Sequence, residues 1–480
     1  MERIVWLAKA IKKNRKRLSA LSIIFAIVLS FFMGYSVASN SNSSEVFTLS
    51  SGIYPSATSY TVYVEDGTYY VKNAYGVQVY STSYADQAFE YAYENSGEPS
   101  TIYVASGTYV LTDPIEFTVY RVDVRIIGGR EVSLKIQNDD CGILIGAGSK
   151  ITIEGLNLQG VEGYNGYGIR VVNGTALIFE NLIGYQLNNW MILLNASYAN
   201  VNYIYIDNVH CIQSYGFLKQ IRDQDGHQMN SMTLFVSNVG ITHNTNYGVW
   251  LECNDANFAS IAGEIDNGHF FVLNSSAAIQ IHNFNIEAGN GYTFYIFGSE
   301  SKHLHIYSGN IWYTKVGVYI DSDAGDDIVI DGVSMENITQ NCFTILSENR
   351  VFLDHIWTKT SGITPLNLAT NNEVTITDSY FYSLSSDNLY NNVPYRMRNV
   401  KFNKAGTIYY SENSGTATIV TSTNTVVTHH LIAQPTVISI SPRNGGYGTF
   451  YVSSVSSTSF KIYVTNTGTY NFYWYASVTG

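Results

Sequence analysis

The chain has 480 residues, of which 45% are hydrophobic and only 13% are charged, and its formal net charge is −12. Seven of the 26 basic residues lie in the first 17 positions, so the remaining 19 basic residues stand against 37 acidic ones and leave a formal charge of −18 on the rest of the chain. Such an acidic body repels phosphate backbones, which excludes nucleic acid as a partner, and four isolated cysteines without a CxxC pair exclude a disulfide scaffold and a zinc site.

An apolar segment follows the basic N-terminal residues 1–17. Residues 18–38 (LSALSIIFAIVLSFFMGYSVA) carry no charge and are long enough to cross a bilayer as a helix. Because lysine and arginine concentrate on the cytoplasmic side of a membrane span, the sequence predicts a single-pass anchor with the N-terminus inside and the rest outside. A cleavable signal peptide is the alternative, since Ser36-Val37-Ala38 offers a peptidase site. Either way the body is exported, and residues 39–59 are predicted to form a tether.

Residues 60–136 are predicted to contain an N-terminal cap and the first coils of a repeat. The segment from Tyr84 to Asn95 is an amphipathic helix pattern with alanine and phenylalanine on one face, at Ala85, Ala88, Phe89 and Ala92. A solenoid must cover its first strand, because an unpaired edge recruits other chains. The helix is therefore predicted to cap the open end.

Residues 137–411 repeat a pattern of alternating apolar residues, a polar or glycine step and a further apolar pair. Anchor positions recur every 20 to 30 residues, at Ile153, Ile178, Ile204, Leu234, Ile261, Ile281, Ile306, Ile330, Leu353 and Ile376. Periods of that length are typical of solenoids, and the alternation is that of strands with one side chain inward and the next outward. The sequence therefore predicts an all-β parallel β-helix, and the lack of a sustained 3.6-residue period excludes a helical solenoid.

The repeat stops near Thr416, and residues 412–480 read as short alternating strands with glycine-rich turns. These residues are predicted to form a small, sandwich-like C-terminal β-domain.

The start of the exported part resembles the pectate-lyase-like superfamily. The resemblance lies in a helix followed by a strand, by Ala105-Ser106-Gly107-Thr108-Tyr109, and by Ile126-Ile127-Gly128. It implies a right-handed parallel β-helix. The preceding segment 60–81 is similar to the leader of β-helix proteins from hyperthermophilic archaea and their viruses. The resemblance is specific for the fold, whereas members of the superfamily differ in activity.

The C-terminal residues resemble the tip domains of phage and archaeal-virus fibres and tailspikes. His430-Leu431 and Pro435 match the start of such domains, and the segment 472–475 matches their aromatic finish. The resemblance implies a homotrimer or a receptor-binding tip on a cell or virion surface. A simple cap over the last coil is the alternative.

The longest polar excursion between paired strands is the loop 220–230. It brings together Arg222, which could clamp a uronate carboxylate, with Asp223, Asp225 and His227, which could transfer protons. Since neighbouring coils lie about 4.8 Å apart, Asp225 and Glu252 are predicted to approach the separation of a retaining carboxylate pair. An ordered loop with local ion pairs is the alternative.

Other acids fall in the turns of successive coils and would align along one edge. Asp255, Asp321 and Asp323 are predicted to bind a ligand there, although exposed acids also serve to solvate an edge. Carboxylates can hold calcium. The clustered calcium aspartates with paired arginines of pectate lyases, and the motif set of polygalacturonases, are both missing, so we predict no metal and no cofactor.

Aromatic residues and glycosylation motifs complete the candidate list. Tyrosine occurs 39 times, and four tryptophans lie on coils, where outward rings would stack on sugars and inward rings would fill the core. These tryptophans are Trp190, Trp250, Trp312 and Trp357. Sequons that fit an exported glycoprotein lie at Asn173, Asn195, Asn274 and Asn337.

Three functions remain open on the sequence alone. The first is a membrane-anchored surface spike or adhesin that binds glycans or a cell surface. The second is an extracellular polysaccharide lyase or glycoside hydrolase. The third is a structural cell-envelope protein.

Overall fold

The computed structural model describes residues 59–129, 131–146, 150–174, 176–195, 203–221, 233–361, 363–383, 390–392, 394–404, 406–443 and 449–478. The predicted basic segment 1–17, anchor 18–38 and nearly all of the tether 39–59 lie outside these residues. No helix within the described part is both long enough and apolar enough to span a membrane.

The described residues form one helix and 39 strands. In chain order these are β1 (Tyr60–Glu65), β2 (Thr68–Asn73), β3 (Gln78–Thr82), α1 (Ala85–Glu94), β4 (Ser100–Val104), β5 (Gly107–Leu111), β6 (Ile115–Phe117), β7 (Val124–Ile127), β8 (Val132–Ile136), β9 (Cys141–Ile145), β10 (Lys150–Glu154), β11 (Asn157–Gly160), β12 (Tyr167–Val171), β13 (Ala176–Glu180), β14 (Ile183–Tyr185), β15 (Trp190–Asn195), β16 (Ile204–Ile212), β17 (Gly216–Ile221), β18 (Leu234–Asn244), β19 (Tyr247–Leu251), β20 (Asn254–Ile265), β21 (His269–Asn274), β22 (Ala277–Glu287), β23 (Tyr292–Phe297), β24 (Leu304–Trp312), β25 (Val316–Ile320), β26 (Ile328–Glu336), β27 (Asn341–Ile345), β28 (Arg350–Asp354), β29 (Trp357–Thr360), β30 (Leu366–Leu368), β31 (Glu373–Thr377), β32 (Tyr380–Ser383), β33 (Arg396–Arg398), β34 (Lys401–Lys404), β35 (Thr407–Tyr410), β36 (Glu412–Thr428), β37 (Val437–Pro442), β38 (Phe450–Ser453) and β39 (Ser459–Ser477).

The architecture is a parallel β-solenoid of about eleven turns, which confirms the predicted fold class. Eleven parallel strands, from β6 to β30, form a sheet that we call sheet B. The other solenoid strands form sheet A, which is parallel apart from the hairpins β1–β3 at its start and β34–β35 at its end. The right-handed sense of the coil stays a prediction, and the strong right-handed preference of parallel crossovers within one sheet supports it.

Stacking in register builds the core. One inward position of sheet A is occupied in successive coils by Ile153, Phe179, Ile206, Val236, Phe258, Ile281, Ile306, Ile330, Leu353 and Ile376, all of them buried. Sheet B contributes rings such as Phe271 and Phe294, whose centroids lie 5.2 Å apart in parallel planes. Each coil thus buries its apolar face only against its neighbours, which is how a solenoid obtains its stability.

From β10 onward, sheet A bends once in each coil at a residue with left-handed backbone conformation. Gly155, Asn181, Asn208, Asn238 and Gly332 occupy this position in five of the coils, with φ between +51° and +72°. Glycine and asparagine tolerate this conformation better than other residues. The Asn208 amide also donates a hydrogen bond to Asn181 Oδ1 at 2.6 Å, so the bends of adjacent coils are linked.

The predicted capping helix is confirmed as α1. Ala85, Ala88 and Phe89 are fully or almost fully buried. The Phe89 ring meets the Tyr109 ring edge-on at 5.4 Å, and Tyr93 packs on Phe117 at 4.5 Å. The helix therefore covers apolar residues of the first coils.

The described residues after Tyr410 include sheet C, a four-stranded antiparallel sheet. The long strands β36 and β39 pair along most of their length, and β37 and β38 both pair with β39. Phe460, Phe472 and Trp474 are buried in it. Among the described residues after Glu412 there is this one sheet, whose first strand begins at the predicted domain boundary.

Candidate functional site

The outward surface of sheet B carries a continuous patch of rings. It runs across the six neighbouring strands β15, β17, β19, β21, β23 and β25, so five inter-strand spacings give it a length of about 24 Å. We call this patch the aromatic face. It consists of the buried ring of Trp190 at one end and of eight half-buried rings, those of Tyr215, Tyr247, Trp250, His269, Tyr292, Tyr295, Phe297 and Tyr319.

The first rings of the aromatic face stack along the solenoid axis. Trp190 and Tyr247 are nearly parallel, at 15°, with centroids 5.4 Å apart, although one strand lies between them. That strand places Gly216 opposite Trp190, and a Cβ added there would lie 2.5 Å from the indole ring. A glycine is needed at this position because the two rings close over it.

The stack continues through a histidine. His269 lies 4.7 Å from Tyr292, which stacks on Tyr319 at 5.0 Å and 3°. The backbone N–H of Tyr292 donates a hydrogen bond to His269 Nδ1 at 3.2 Å. Burial lowers the pKa of His269, and the nearby Lys315 charge lowers it further, so the imidazole is neutral at pH 7.

A second set of rings lies across the first. Trp250 makes an angle of 84° with Tyr247, and Tyr295 makes one of 78° with Tyr319. The indole Nε1 of Trp250 donates a hydrogen bond to Glu252 Oε1 at 2.9 Å.

Polar and charged groups border the rings. The Tyr295 hydroxyl lies 3.5 Å from Asp321 Oδ2, and burial together with the Asp321 charge raises the pKa of Tyr295. The Lys219 ammonium lies 5.4 Å from the Trp250 centroid and 5.9 Å from that of Trp190. The face therefore offers apolar rings, tyrosine hydroxyls, the Lys219 ammonium and the carboxylates of Glu252 and Asp321, which together can stack on a ring and hydrogen-bond to its substituents.

The structure places four of the predicted site residues. Glu252 and Asp321 border the aromatic face, as described above. Asp323 Oδ1 accepts a hydrogen bond from the backbone N–H of Gly298 at 3.0 Å, and Asp255 Oδ2 accepts one from the Thr233 hydroxyl at 3.2 Å. Asp323 therefore links two turns, whereas Asp255 lies in β20 and links this strand to the residue before β18. The other four, Arg222, Asp223, Asp225 and His227, lie outside the described residues, so their roles and the pairing of Asp225 with Glu252 stay predictions.

The predicted glycosylation sites differ in their surroundings. Asn337 is exposed in a turn with φ of +56°. Asn173 and Asn195 are half-buried. Asn274 is also half-buried, and its side-chain amide donates a hydrogen bond to Glu252 at 3.1 Å. Modification at these positions stays a prediction.

A separate cleft lies on the outward surface of sheet A, beyond the bend. This cleft has a volume of about 420 Å³, and its lining includes Glu264, Glu287, Asn285, Trp312 and Tyr313. Among the predicted residues only Trp312 belongs to it. We call it the acidic cleft.

The sequence contains a signal for the acidic cleft. Glu264 and Glu287 occupy the same register position of adjacent strands, β20 and β22. Two acids one repeat apart, each a few residues beyond the bend, would have indicated this pair.

Two groups of side chains in the described part have the ligand types and spacing for a cation. The first is His243 with Glu264 and Asp266, and the second is Asp331 with Asp354 and His355. In each group the ligand atoms lie within 4.8 Å of one another. Both groups are exposed or half-exposed, and the histidine hydrogen-bonds to a carboxylate in each.

The sequence matches no protein-family model and no curated protein. Solved structures that are similar include the tailspike protein of E. coli bacteriophage HK620, a double mutant, at 7% identity with 79% of this chain and 82% of that chain covered and a TM-score of 0.42. The polygalacturonase of Erwinia carotovora ssp. carotovora is 11% identical, with 75% and 96% covered and a TM-score of 0.35. The A-module of the Azotobacter vinelandii mannuronan C-5 epimerase AlgE6 is also 11% identical, with 67% and 95% covered and a TM-score of 0.36. At these TM-scores, none of the likenesses indicates what this chain does.

Proposed function

We propose that the protein is a surface protein that binds glycans along the aromatic face. The observation that carries this proposal is the run of rings across six strands of sheet B, bordered by the hydroxyl of Tyr295, the carboxylate of Asp321 and the ammonium of Lys219. Sugars present apolar C–H faces and polar hydroxyl edges, so a ring beside a hydrogen-bonding group is the matching surface.

The length and rigidity of the face support an extended ligand rather than a small one. The rings lie on strands whose positions are fixed by sheet hydrogen bonds, so little conformational entropy is lost when a ligand is bound. Burial lowers the pKa of His269 and so keeps its ring neutral, and the hydroxyl of Tyr295, like any tyrosine, is protonated at pH 7. A neutral or weakly charged polysaccharide chain fits such a surface.

The placement of the protein is part of the proposal. Residues 18–38 anchor it in a membrane with the N-terminus inside, so that the solenoid is displayed on the exterior of a cell or virion, of archaeal or viral type. Three copies assemble into a spike or adhesin, with residues 412–480 at the tip. The membrane anchor rests on the apolar segment 18–38. The spike rests on the resemblance of the start of the exported part to the pectate-lyase-like superfamily and of residues 412–480 to the tip domains of fibres and tailspikes.

The test uses the full-length chain purified in detergent, applied to an array of neutral and acidic glycans. We expect binding to a defined set of glycans, and we expect Trp250→Ala and Tyr295→Ala each to weaken the affinity for that set about tenfold, which corresponds to roughly 1.4 kcal/mol. Tyr205→Ala is the matched control, because Tyr205 is a 39% exposed ring on sheet A. It should leave the affinity unchanged.

Binding that survives both ring substitutions would overturn the assignment to the aromatic face. If no glycan binds and the protein forms lateral sheets in a size measurement, the structural cell-envelope function is correct instead. A trimeric mass in the same measurement supports the spike.

A further inference from the structure

His269 occupies the middle of the aromatic face. The centroid of its ring on β21 lies 6.2 Å from that of Tyr247, its register partner on β19, and 4.7 Å from that of Tyr292 on β23. Tyr247 stacks on Trp190 on one side, and Tyr292 stacks on Tyr319 on the other. The histidine therefore joins two stacked pairs of rings.

One hydrogen bond decides which nitrogen of His269 carries the hydrogen. Nδ1 accepts the backbone N–H of Tyr292 at 3.2 Å, so the neutral ring holds its hydrogen on Nε2. In the imidazolium both nitrogens are donors, and the Nδ1 hydrogen would then face the Tyr292 N–H. Protonation therefore removes this bond and takes its acceptor away from a half-buried backbone N–H, which costs stability.

The surroundings of His269 disfavour a positive charge. Titratable and charged groups face it from three neighbouring segments, namely Tyr247 on β19, Tyr292 and Tyr295 on β23, and the Lys315 ammonium before β25. Burial lowers the pKa of His269, and the Lys315 charge lowers it further. The groups around the ring thus supply hydroxyls and a second cation.

Two other histidines of the solenoid have a carboxylate beside them. His355 Nδ1 lies 3.1 Å from Asp331 Oδ1, and this contact raises the pKa of His355. His243 Nδ1 lies 3.3 Å from Asp266 Oδ1. Among the described residues, no carboxylate forms a hydrogen bond or an ion pair with His269. A proton on this ring would therefore be uncompensated.

We propose that His269 is an acid-sensitive switch in the aromatic face, whose neutral ring keeps the rings stacked and whose protonation separates them and releases the glycan. The charged ring loses the bond to Tyr292 and moves toward water, because a charge is costly where no anion compensates it. Tyr247 and Tyr292 then lose the ring that joins them. The release rests on the proposed function, whereas the separation of the rings requires no ligand.

The size of the effect follows from the linkage between protonation and binding. If only the neutral ring supports binding, the affinity falls by the factor 1 + 10^(pKa − pH). A pKa below the ordinary value of about 6.5 then limits the loss at pH 5.0 to about thirtyfold. We expect a loss of about threefold to thirtyfold between pH 7.5 and pH 5.0. Ordinary carboxyl groups titrate near pH 4, which lies below this range.

The first measurement is the affinity of the full-length chain in detergent for neutral glucan, mannan, galactan and xylan oligosaccharides, by calorimetry from pH 7.5 to pH 5.0. His269→Phe keeps a ring that cannot titrate, and His269→Asn keeps an oxygen that can accept the Tyr292 N–H. In both variants the affinity should be independent of pH in this range. Thermal unfolding checks that each variant is folded.

His305→Phe is the matched control. His305 is also a half-buried histidine beside a tyrosine, with its ring 4.5 Å from that of Tyr307, but it lies on sheet A. This variant should keep the pH dependence of the unchanged chain. The proposal is overturned if the unchanged chain binds equally well at both ends of the pH range, or if the pH dependence persists in His269→Phe and His269→Asn.

The second measurement needs no ligand. In a chain with ¹⁵N-labelled histidine, the His269 resonances are assigned by their loss in His269→Phe. They should show the hydrogen on Nε2 at pH 7.5 and a titration midpoint below about 6.5. Since Trp190 stacks on Tyr247 and Trp250 lies edge-on to it, the tryptophan fluorescence should change with the same midpoint, and it should not do so in His269→Phe. A higher midpoint would show that the tyrosines hold the imidazolium by cation–π contact, and the switch would be wrong.

The two measurements separate the switch from the proposed function. If no oligosaccharide binds at any pH, glycan binding and glycan release both fail, and the titration without ligand still shows whether His269 controls the rings. If glycans bind but the tryptophan fluorescence does not follow the titration of His269, the aromatic face stands and the switch is wrong.

Discussion

The Glu252 carboxylate holds the Trp250 indole in place, with Oε1 accepting the Nε1 hydrogen at 2.9 Å. The same oxygen accepts a hydrogen bond from the Asn274 amide at 3.1 Å, and the Glu252 backbone N–H donates to Gln220 Oε1 at 2.8 Å. The acid thus joins β19 to strands on both sides. It is a positioning residue for the aromatic face, whereas its predicted catalytic pairing with Asp225 is untested.

We expect Glu252→Ala to weaken glycan binding by about threefold to tenfold, because an indole that loses a hydrogen bond worth roughly 1 kcal/mol samples more orientations. Glu252→Gln retains an acceptor oxygen and should bind nearly as well as the unchanged chain. Glycan titration by calorimetry measures the affinities, and time-resolved fluorescence anisotropy reports the mobility of the tryptophans.

Glu348→Ala serves as the control for loss of a carboxylate, because Glu348 is exposed in the turn after β27 and lies away from the rings. This substitution should change neither the glycan affinity nor the fluorescence anisotropy of the tryptophans. If Glu252→Gln is as damaging as Glu252→Ala, the carboxylate acts through its charge and the positioning role is wrong.

The solenoid was predictable because it repeats. Alternating apolar residues and a period of 20 to 30 residues leave few folds that can bury them, and the helix pattern at Tyr84–Asn95 has one apolar face. The structure confirms both the coil and α1. Both the strand alternation and the helix pattern can be read from a short stretch of sequence, without knowing which strands are neighbours.

The register was not predictable in the same way. Ile281, Ile306 and Ile330 do share one inward column, but Ile178 is not in the core, since Phe179 occupies the column in that coil. Ile204 lies in a neighbouring inward column. Where both members of an apolar pair are large, alternation does not decide which side chain faces inward, and only stacking on the adjacent coil does.

The functional surfaces depend on that register, which is why they were only partly predicted. The rings at Trp190 and Trp250 were predicted as candidates, but the stacking of Trp190 on Tyr247 across the strand of Gly216 follows from which strands are neighbours. Glu264 and Glu287 were missed because they become a pair only when β20 and β22 are aligned.

At the left-handed bend of Asn208, we predict that alanine destabilises the chain more than glycine does. Asn208 has φ of +51° and donates to Asn181 Oδ1 at 2.6 Å. Asn208→Gly loses the hydrogen bond but tolerates the conformation, at a cost of about 1 kcal/mol. Asn208→Ala loses the bond and also strains the backbone, so its cost should reach roughly 2–3 kcal/mol. Urea denaturation of the two variants measures the difference.

The same pair of substitutions at Asn257 is the control, since this residue lies in β20 with an ordinary strand conformation. There glycine should be worse than alanine by roughly 0.5–1 kcal/mol. Equal losses of unfolding free energy for Asn208→Ala and Asn208→Gly would show that the left-handed conformation at this position does not limit stability.

A buried histidine directly after β36 should make the region of sheet C sensitive to acid. His429 is fully buried, its Nδ1 accepts the Leu431 backbone N–H at 3.0 Å, and its Nε2 lies 3.2 Å from the Ser456 carbonyl oxygen. Burial lowers the pKa of His429, the Ser456 carbonyl opposes this, and His430 adds a small further lowering. A protonated ring would also lose the Leu431 hydrogen bond, because Nδ1 could no longer accept.

A histidine with a lowered pKa contributes stability that is complete above its unfolded pKa, about 6.5, and is lost as the pH falls below that value. We therefore expect the urea midpoint of the full-length chain to fall between pH 7.5 and pH 5. His429→Gln cannot titrate, so its midpoint should fall less, even if it starts lower. Carboxylates elsewhere affect both chains equally, and the difference between the two curves isolates His429. His303→Gln is the control, because it removes a histidine with a 62% exposed side chain, and it should leave the pH dependence of the urea midpoint unchanged. Parallel curves of midpoint against pH for His429→Gln and the unchanged chain would rule out His429 as the acid-sensitive group.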